Sequence, residues 1–168
     1  MIDFLYNANG RISRKGYVLG YFLPMLLLTQ ILPVILMSVG LGLISMLIGL
    51  FYIWPSNVAV PVRRFHDLGA SGWYQAGIVL LTMIAVMIMI DGIGPQDPTT
   101  MQDMISRLTR GDLSALDAAA DPGRARLGIG LAGLVNLTQI GLFAFVPGQR
   151  GRNRFGDDPL ASGRGFAD

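Results

Sequence analysis

The sequence predicts an all-α integral membrane protein, a four-helix bundle with a short amphipathic helix in its long outer loop. Three observations carry that prediction. First, two long stretches hold no charged residue, Tyr17 to Val62 and Trp73 to Ile90. Second, the chain is 52% hydrophobic and only 14% charged, where a soluble domain is nearer one-quarter charged. Third, the charges between the two stretches form one run, Arg63-Arg64-Phe65-His66-Asp67-Leu68-Gly69-Ala70-Ser71-Gly72-Trp73. Ionisable groups in that position must sit at a membrane surface or form a paired cluster just inside it.

A span of the hydrocarbon core takes about 20 mostly apolar residues. Four segments of a single membrane domain, 1–168, qualify: 17–37, 39–60, 73–90 and 127–146. The first has a basic flank, Arg11, Arg14 and Lys15, as a signal peptide would. Its apolar run is too long for one, and no small-x-small cleavage site follows, so it reads as a retained span. Ser38, Gly40 and Gly42 mark a tight turn into the second span, because glycine tolerates positive φ. The alternative, one long core helix of a soluble protein, would be apolar on every side. Pro24, Pro33 and Pro55 are expected to kink their helices.

Small residues recur in the spans: Ser45 and Gly49, Gly128 and Ala132, Gly133 and Gly141. Such spacing permits close helix approach. Gln30, Thr82, Asn136, Thr138 and Gln139 are uncharged polar residues at span depth. No ionisable group accompanies them, so they read as hydrogen-bonding glue between helices. Asn136-Leu137-Thr138 fits a glycosylation pattern but lies inside a span.

The outer loop, 91–126, has a helix of its own. Met101, Met104, Ile105 and Leu108 follow helical spacing, Thr100 with Asp103 resembles a capping box, and Gly111 ends the element. This helix should lie on the membrane surface or cap the bundle. Asp121 and Pro122 read as N-cap and first residue of the helix entering the fourth span. The loop reads as a packed connector rather than a binding site.

Loop arginines and lysines set orientation. The N-terminal segment, central run and tail carry nine basic residues, Arg164 among them, against four in the outer loop, which also holds six aspartates. Both termini are therefore expected in the cytoplasm.

Several chemistries are excluded. There is no cysteine, so no disulfide or thiolate metal site forms, and a lone histidine rules out a multi-histidine zinc centre. The tail, 147–168, lacks G-K-[ST] and is not a P-loop. His66 and Asp67 are chain neighbours, and Ser71 lacks a converging partner set, so no catalytic residue is assigned. No metal and no cofactor is expected. The arginines at 150, 152 and 154 fit lipid phosphates and topology better than nucleic acid.

Threading places three polar segments on one membrane face. They are Gly10-Arg11-Ile12-Ser13-Arg14-Lys15-Gly16-Tyr17, the central run, and Pro147-Gly148-Gln149-Arg150-Gly151-Arg152-Asn153-Arg154-Phe155-Gly156-Asp157-Asp158-Pro159. Together they resemble the bacterial inner-membrane family called domain of unknown function 805. Its pattern has a G-R-x-x-R entry, an R-x-H-D-x-G-x-S-G-W loop and a G-x-N-x-x-G-x-x-P tail. The resemblance covers essentially the whole chain. Phe65 replaces a commoner leucine, Tyr74 a frequent second tryptophan and Val18 a tryptophan, and the outer loop is long. The resemblance implies a small four-span inner-membrane protein and assigns no catalytic residue.

In the central run, Arg63 and Asp67 share a helical face at i, i+4, and Asp67 is expected to pair with Arg63 or with an arginine from a terminus, because an unpaired carboxylate at a membrane boundary is costly. Arg64 is then expected to point toward lipid phosphates or the tail aspartates. Gly69 can end the helix in the left-handed conformation, Ser71 can cap the third helix and Trp73 can anchor at the interface. That reading gives every residue a structural role. The functional reading is a polar cluster of Arg11, Arg14, Arg63, Arg64, His66, Asp67, Ser71 and Asn153. Arginine suits bidentate phosphate binding. Its ligand would be an anionic lipid headgroup, a phosphorylated small molecule or an acidic partner. A non-enzymatic membrane protein is the first reading, a small transporter or transporter subunit the second, and a lipid-modifying enzyme the third. Expected partners are membrane lipids, a membrane protein or a second copy.

Overall fold

A computed structural model describes residues 2–161 and is all-helical there, apart from one isolated bridge between Asn153 and Gly156. Arg164 lies outside the described residues. Four helices are long and apolar enough to cross a membrane: α2 (Gly16–Leu36), α3 (Gly42–Asp67), α4 (Trp73–Ile93) and α6 (Pro122–Phe145). Two shorter helices join them, α1 (Ile2–Tyr6) and α5 (Pro98–Thr109). The chain forms two compact units, Met1–Gly77 with Ile140–Asp168, and Ile78–Gln139.

In the first unit, α2 and α3 are joined by a turn in which Gly40 has φ +78° and Leu41 N–H donates to Leu36 O at 2.7 Å. Proline shapes both helices without ending them. Proline has no N–H to give the ladder, and the chain nearby winds as π-helix over Gly16–Phe22, Leu27–Ile31 and Pro55–Ala59. There the bonds reach one residue further back: Leu23 N–H to Val18 O, Leu32 N–H to Leu27 O and Val60 N–H to Pro55 O. Pro55 opens one of these π stretches, whereas Pro24 and Pro33 sit in the α segments that follow the other two, Leu23–Leu26 and Leu32–Ser38.

α3 does not stop at Val60, where hydropathy places the end of the span. It continues through Asp67, because its polar last turns find partners inside the protein. α1 has no counterpart in the sequence reading. Leu5 is buried, Tyr6 Oη donates to Phe51 O at 2.6 Å, and Trp54 Nε1 donates to Tyr6 O at 3.1 Å.

In the second unit the outer loop builds a small core. Met104, Ala115, Leu116 and Ala119 pack with Ile93 and Ala125, at the ends of α4 and α6. The cap of α5 is Asp97, not Thr100. Its Oδ1 accepts the N–H groups of Thr99 and Thr100, both at 3.0 Å, and Pro98 takes the first helical position. The side-chain hydrogen bonds from Thr100 and Thr99 hold the Asp97 carboxyl below the usual carboxylate range. α6 begins at Pro122, five residues before the apolar run, with Asp121 Oδ1 accepting Arg124 N–H at 2.9 Å.

Close helix approach occurs at glycines other than most of those the spacing marks. A Cβ on Gly92 would stand 2.4 Å from Ala125 N, and one on Gly128 2.4 Å from Met89 N. Gly49, Gly133 and Gly141 would meet nothing within 4 Å. Among the described residues Asn136 bonds within its own helix, its Nδ2 donating to Ala132 O at 2.8 Å.

Alanine for glycine in a helix interior is normally favourable by about 1 kcal/mol. Gly130 has open space and should follow that rule. Gly128→Ala should instead lower stability by about 1–3 kcal/mol, because a methyl there meets backbone. Melting of both variants in detergent checks this; equal melting temperatures would show that α4 and α6 are not in contact at Gly128.

Candidate functional site: a buried ion cluster beside a basic cavity

The last turn of α3 presents Asp67 to two arginines. Arg11 donates to Asp67 Oδ1 from Nη2 at 3.0 Å and from Nε at 3.2 Å. Arg64 Nη1 donates to Oδ2. The side chains of Arg11, Arg64 and Asp67 are 1%, 0% and 4% exposed. Asp67 therefore pairs with Arg64 at i−3 and with the N-terminal Arg11, not with Arg63 at i−4. Arg64 does not point toward lipid or the tail aspartates. Its remaining donors go to Phe143 O, at 3.0 Å, and Val146 O. Those are carbonyls at the C-terminal end of α6, where a helix leaves acceptors unfilled.

Arg11 gathers the tail in the same way. Nη1 donates to Gly151 O at 2.6 Å, and Nη2 also donates to Gln149 O. Arg63 serves the N-terminal segment. It donates to Phe4 O at 3.0 Å and Arg11 O at 3.3 Å, and its guanidinium lies 5.5 Å from the Phe4 ring centre.

His66 sits between the first and third motifs. Nδ1 is 3.1 Å from Gly10 O, which fixes the donor at Nδ1 because a carbonyl only accepts. Its ring stacks on Phe155 at 4.0 Å and 7°. Asn153 Nδ2 donates to His66 O at 2.9 Å, while Asn153 and Gly156 exchange backbone hydrogen bonds at 3.0 and 3.2 Å.

Two glycines let the tail come this close. Gly69 turns the chain after α3 at φ +77°, and a Cβ on it would stand 2.1 Å from Gln149 Nε2. A Cβ on Gly148 would lie 2.0 Å from Asp67 Oδ2. Gln149 N–H then donates to Asp67 O at 2.8 Å. Ser71 stays local, its Oγ accepting Trp73 N–H at 3.4 Å, with no hydrogen bond among the described residues joining it to Asp67.

Beside the ion cluster is a cavity of about 280 Å³, lined in part by Ser13, Arg14, Lys15, Asp67, Gly148, Gln149, Arg150 and Asp158. Arg14, Lys15 and Arg150 are exposed. Among the described residues none of the three has a carboxylate within salt-bridge distance, and Arg14 donates to Phe145 O at 3.4 Å. In the second unit three of the four arginines are paired, Arg107 with Asp112 at 2.9 Å, Arg124 with Asp91 at 2.5 Å, and Arg126 with Asp117. Asp67 in the cavity is already matched by two arginines. Asp158 accepts the N–H groups of Gly151, at 2.8 Å, and Leu160, at 2.9 Å. These bonds, Leu160 first, hold its carboxyl below the usual range, helped by the charges of Arg11 and Arg150. With Asp67 matched, Asp158 is the one remaining carboxylate set against Arg14, Lys15 and Arg150 in the described lining, so the cavity is net positive. No group of three His or Asp residues that could hold a metal occurs among the described residues.

Lys15, Arg150, Asp158, Gln149 and Phe155 were not singled out from sequence as site residues. Their signal was the polar character of the first and third motifs, which marks segments and not the side chains that face a cavity.

The family model described as "Protein of unknown function (DUF805)" matches residues 5–157. The chain belongs to the DUF805 family. The match begins at Leu5, ahead of the first polar motif, and ends at Asp157, inside the third. The segments that meet around Asp67 in this DUF805 protein therefore all fall within the match. Comparison with curated proteins and with solved structures finds no match.

Removing one partner from a buried ion cluster leaves the others uncompensated, at about 3–5 kcal/mol. Asp67→Asn should accordingly reduce folded yield and melting temperature sharply. Asp97→Asn, which keeps a good N-cap residue, should change both by under about 1 kcal/mol. Fluorescence-detected size-exclusion chromatography after a heat step compares them. An Asp67→Asn protein as robust as Asp97→Asn would mean that Asp67 is solvated in the native state.

Proposed function

We propose that this DUF805 protein is a non-enzymatic, multi-pass protein of the bacterial inner membrane, with both termini cytoplasmic, whose basic cavity holds the phosphate-bearing headgroup of an anionic lipid. The observation that carries the reading is the trio Arg14, Lys15 and Arg150 lining one cavity without a carboxylate partner among the described residues. Arg11, Arg63 and Arg64 act as ties, since their donors turn inward onto backbone carbonyls and Asp67. They hold the walls, and the exposed trio meets the anion. A lipid headgroup is favoured as its source because Lys15 immediately precedes the first span and Arg150 follows the last by five residues. Both cations thus stand where headgroups lie.

The orientation rests on loop charge and on the meeting of N-terminus, α3 end and tail, which an even number of spans permits. A reporter active only outside the cytoplasm should be active when fused at Leu113 and silent at Ser71 or after the C-terminus. An active C-terminal fusion would overturn the topology.

Each cation near a charged membrane surface contributes about 1 kcal/mol, or about fivefold in affinity. Arg14→Gln, Lys15→Gln and Arg150→Gln should each reduce retention of phosphatidylglycerol relative to phosphatidylcholine by about that factor. Arg152→Gln should have little effect, since Arg152 faces Asp157 at 3.5 Å outside the cavity. The three losses should persist at high salt, because a concave site is screened less than an open surface. Equal small losses at all four positions that vanish with salt would reduce the trio to a topology signal. Equal retention of free phosphate by wild type and loss of lipid selectivity would reassign the anion to a soluble source.

A further inference from the structure

A carboxylate stands among the cations of the basic cavity. Arg14, Lys15, Arg150 and Asp158 line one space. Yet among the described residues no cation comes within salt-bridge distance of Asp158. Its carboxylate is only partly engaged. Oδ2 accepts Gly151 N–H and Oδ1 accepts Leu160 N–H. A carboxylate offers about four acceptor positions, so each oxygen keeps one beyond the tail's own turn. The side chain is half-buried and lines the cavity, within reach of what occupies it. Asp67, the other carboxylate of the lining, is different, because Arg11 and Arg64 already fill it.

We infer that Asp158 reads a hydroxyl on the ligand, which makes that ligand a phosphate ester of a polyol, such as a glycerol headgroup. This rests on the reading that the cavity holds a phosphate-bearing headgroup. Three cations and one unmatched carboxylate in one space complement a ligand with an acceptor end and a donor end. An ionised phosphate supplies acceptors alone, and Asp158 repels it. A hydroxyl carried on the same headgroup donates to Asp158, and the repulsion is offset by a charge-assisted hydrogen bond. An ammonium would donate too, but it would enter a lining already net positive and cancel the negative charge that the cations select. The trio thus supplies affinity for anions in general. Asp158 penalises every anion that brings no donor, and selectivity is that difference.

The full chain is equilibrated with phosphatidylcholine vesicles containing equal amounts of phosphatidylglycerol, phosphatidic acid and phosphatidylethanolamine of one acyl composition. It is then gently re-extracted, and the retained lipids are counted by native mass spectrometry. A cavity that reads charge alone ranks phosphatidic acid first, because a phosphate monoester carries about −1.5 to −2 at pH 7 and a diester a single negative charge. Wild type should instead favour phosphatidylglycerol over phosphatidic acid by about fivefold, one hydrogen bond to a charged group less the pull of the extra charge. Asp158→Asn and Asp158→Ser keep side chains suited to the turn and should put phosphatidic acid first. Asp157→Asn, outside the cavity lining, should keep the wild-type order. Phosphatidic acid first in wild type, or an order that neither Asp158 variant changes, would overturn the assignment and leave the anion reading standing. Phosphatidylethanolamine first would overturn it by giving Asp158 to an ammonium. Equal retention of all the lipids would sink both readings, unless glycerol phosphate raises the melting temperature where inorganic phosphate does not, which would keep the polyol ester and make it a soluble one.

Discussion

One carboxylate organises the polar end of this protein. Asp67 is shared by Arg11 from the N-terminal segment and Arg64 from its own helix, and each arginine then reaches backbone carbonyls elsewhere. Three stretches far apart in sequence are thereby tied to one buried point. The net stabilisation from such a pair is modest, because removing the charges from water offsets much of the attraction. What the arrangement supplies is specificity. Only one docking of the tail satisfies Arg11, Arg64 and the glycine-tight approach at Gly148 together.

The division of labour among the arginines follows from burial. Arg11, Arg63 and Arg64 are buried and hydrogen-bonded to backbone, so they act as fasteners. Arg14, Lys15 and Arg150 are exposed around a cavity. The same cationic chemistry serves cohesion in one set and, in the function proposed above, recognition in the other. The difference is whether a carbonyl or carboxylate of the chain already fills the donor.

Hydropathy was enough to find all four helices that are long and apolar enough to cross a membrane, because an uncharged run of that length has few other places to go. The hydropathic spans stop short of two helix ends. α3 runs on through Arg63, Arg64 and Asp67, since charges paired inside the protein need not leave the helix. α6 starts before its apolar run, at the Pro122 that the Asp121-Pro122 capping signal marks, with Asp121 Oδ1 accepting Arg124 N–H. Local spacing rules failed where a distant partner competed. The i, i+4 rule favoured Arg63 for Asp67, but Arg63 is drawn to Phe4 O and Arg11 replaces it. Small-residue spacing could not say which face of α6 meets a neighbour, so Gly128 is tight where Gly133 is open. Most of the polar cluster was legible as three motifs. Of the trio lining the cavity, Arg14 was legible among them but Lys15 and Arg150 were not, because facing is a property of the fold and leaves no mark in spacing.

The placement of Arg64's acceptors has a consequence for biosynthesis. Phe143 follows Arg64 by 79 residues. At about 5–20 residues per second, roughly 4–16 s separate their emergence from the ribosome. Through that interval the end of α3 waits with a guanidinium whose carbonyl partners do not yet exist. The tail is thus made last, and a nascent chain that stalls before Phe143 holds Arg64 without either of the carbonyls that fasten it in the finished protein.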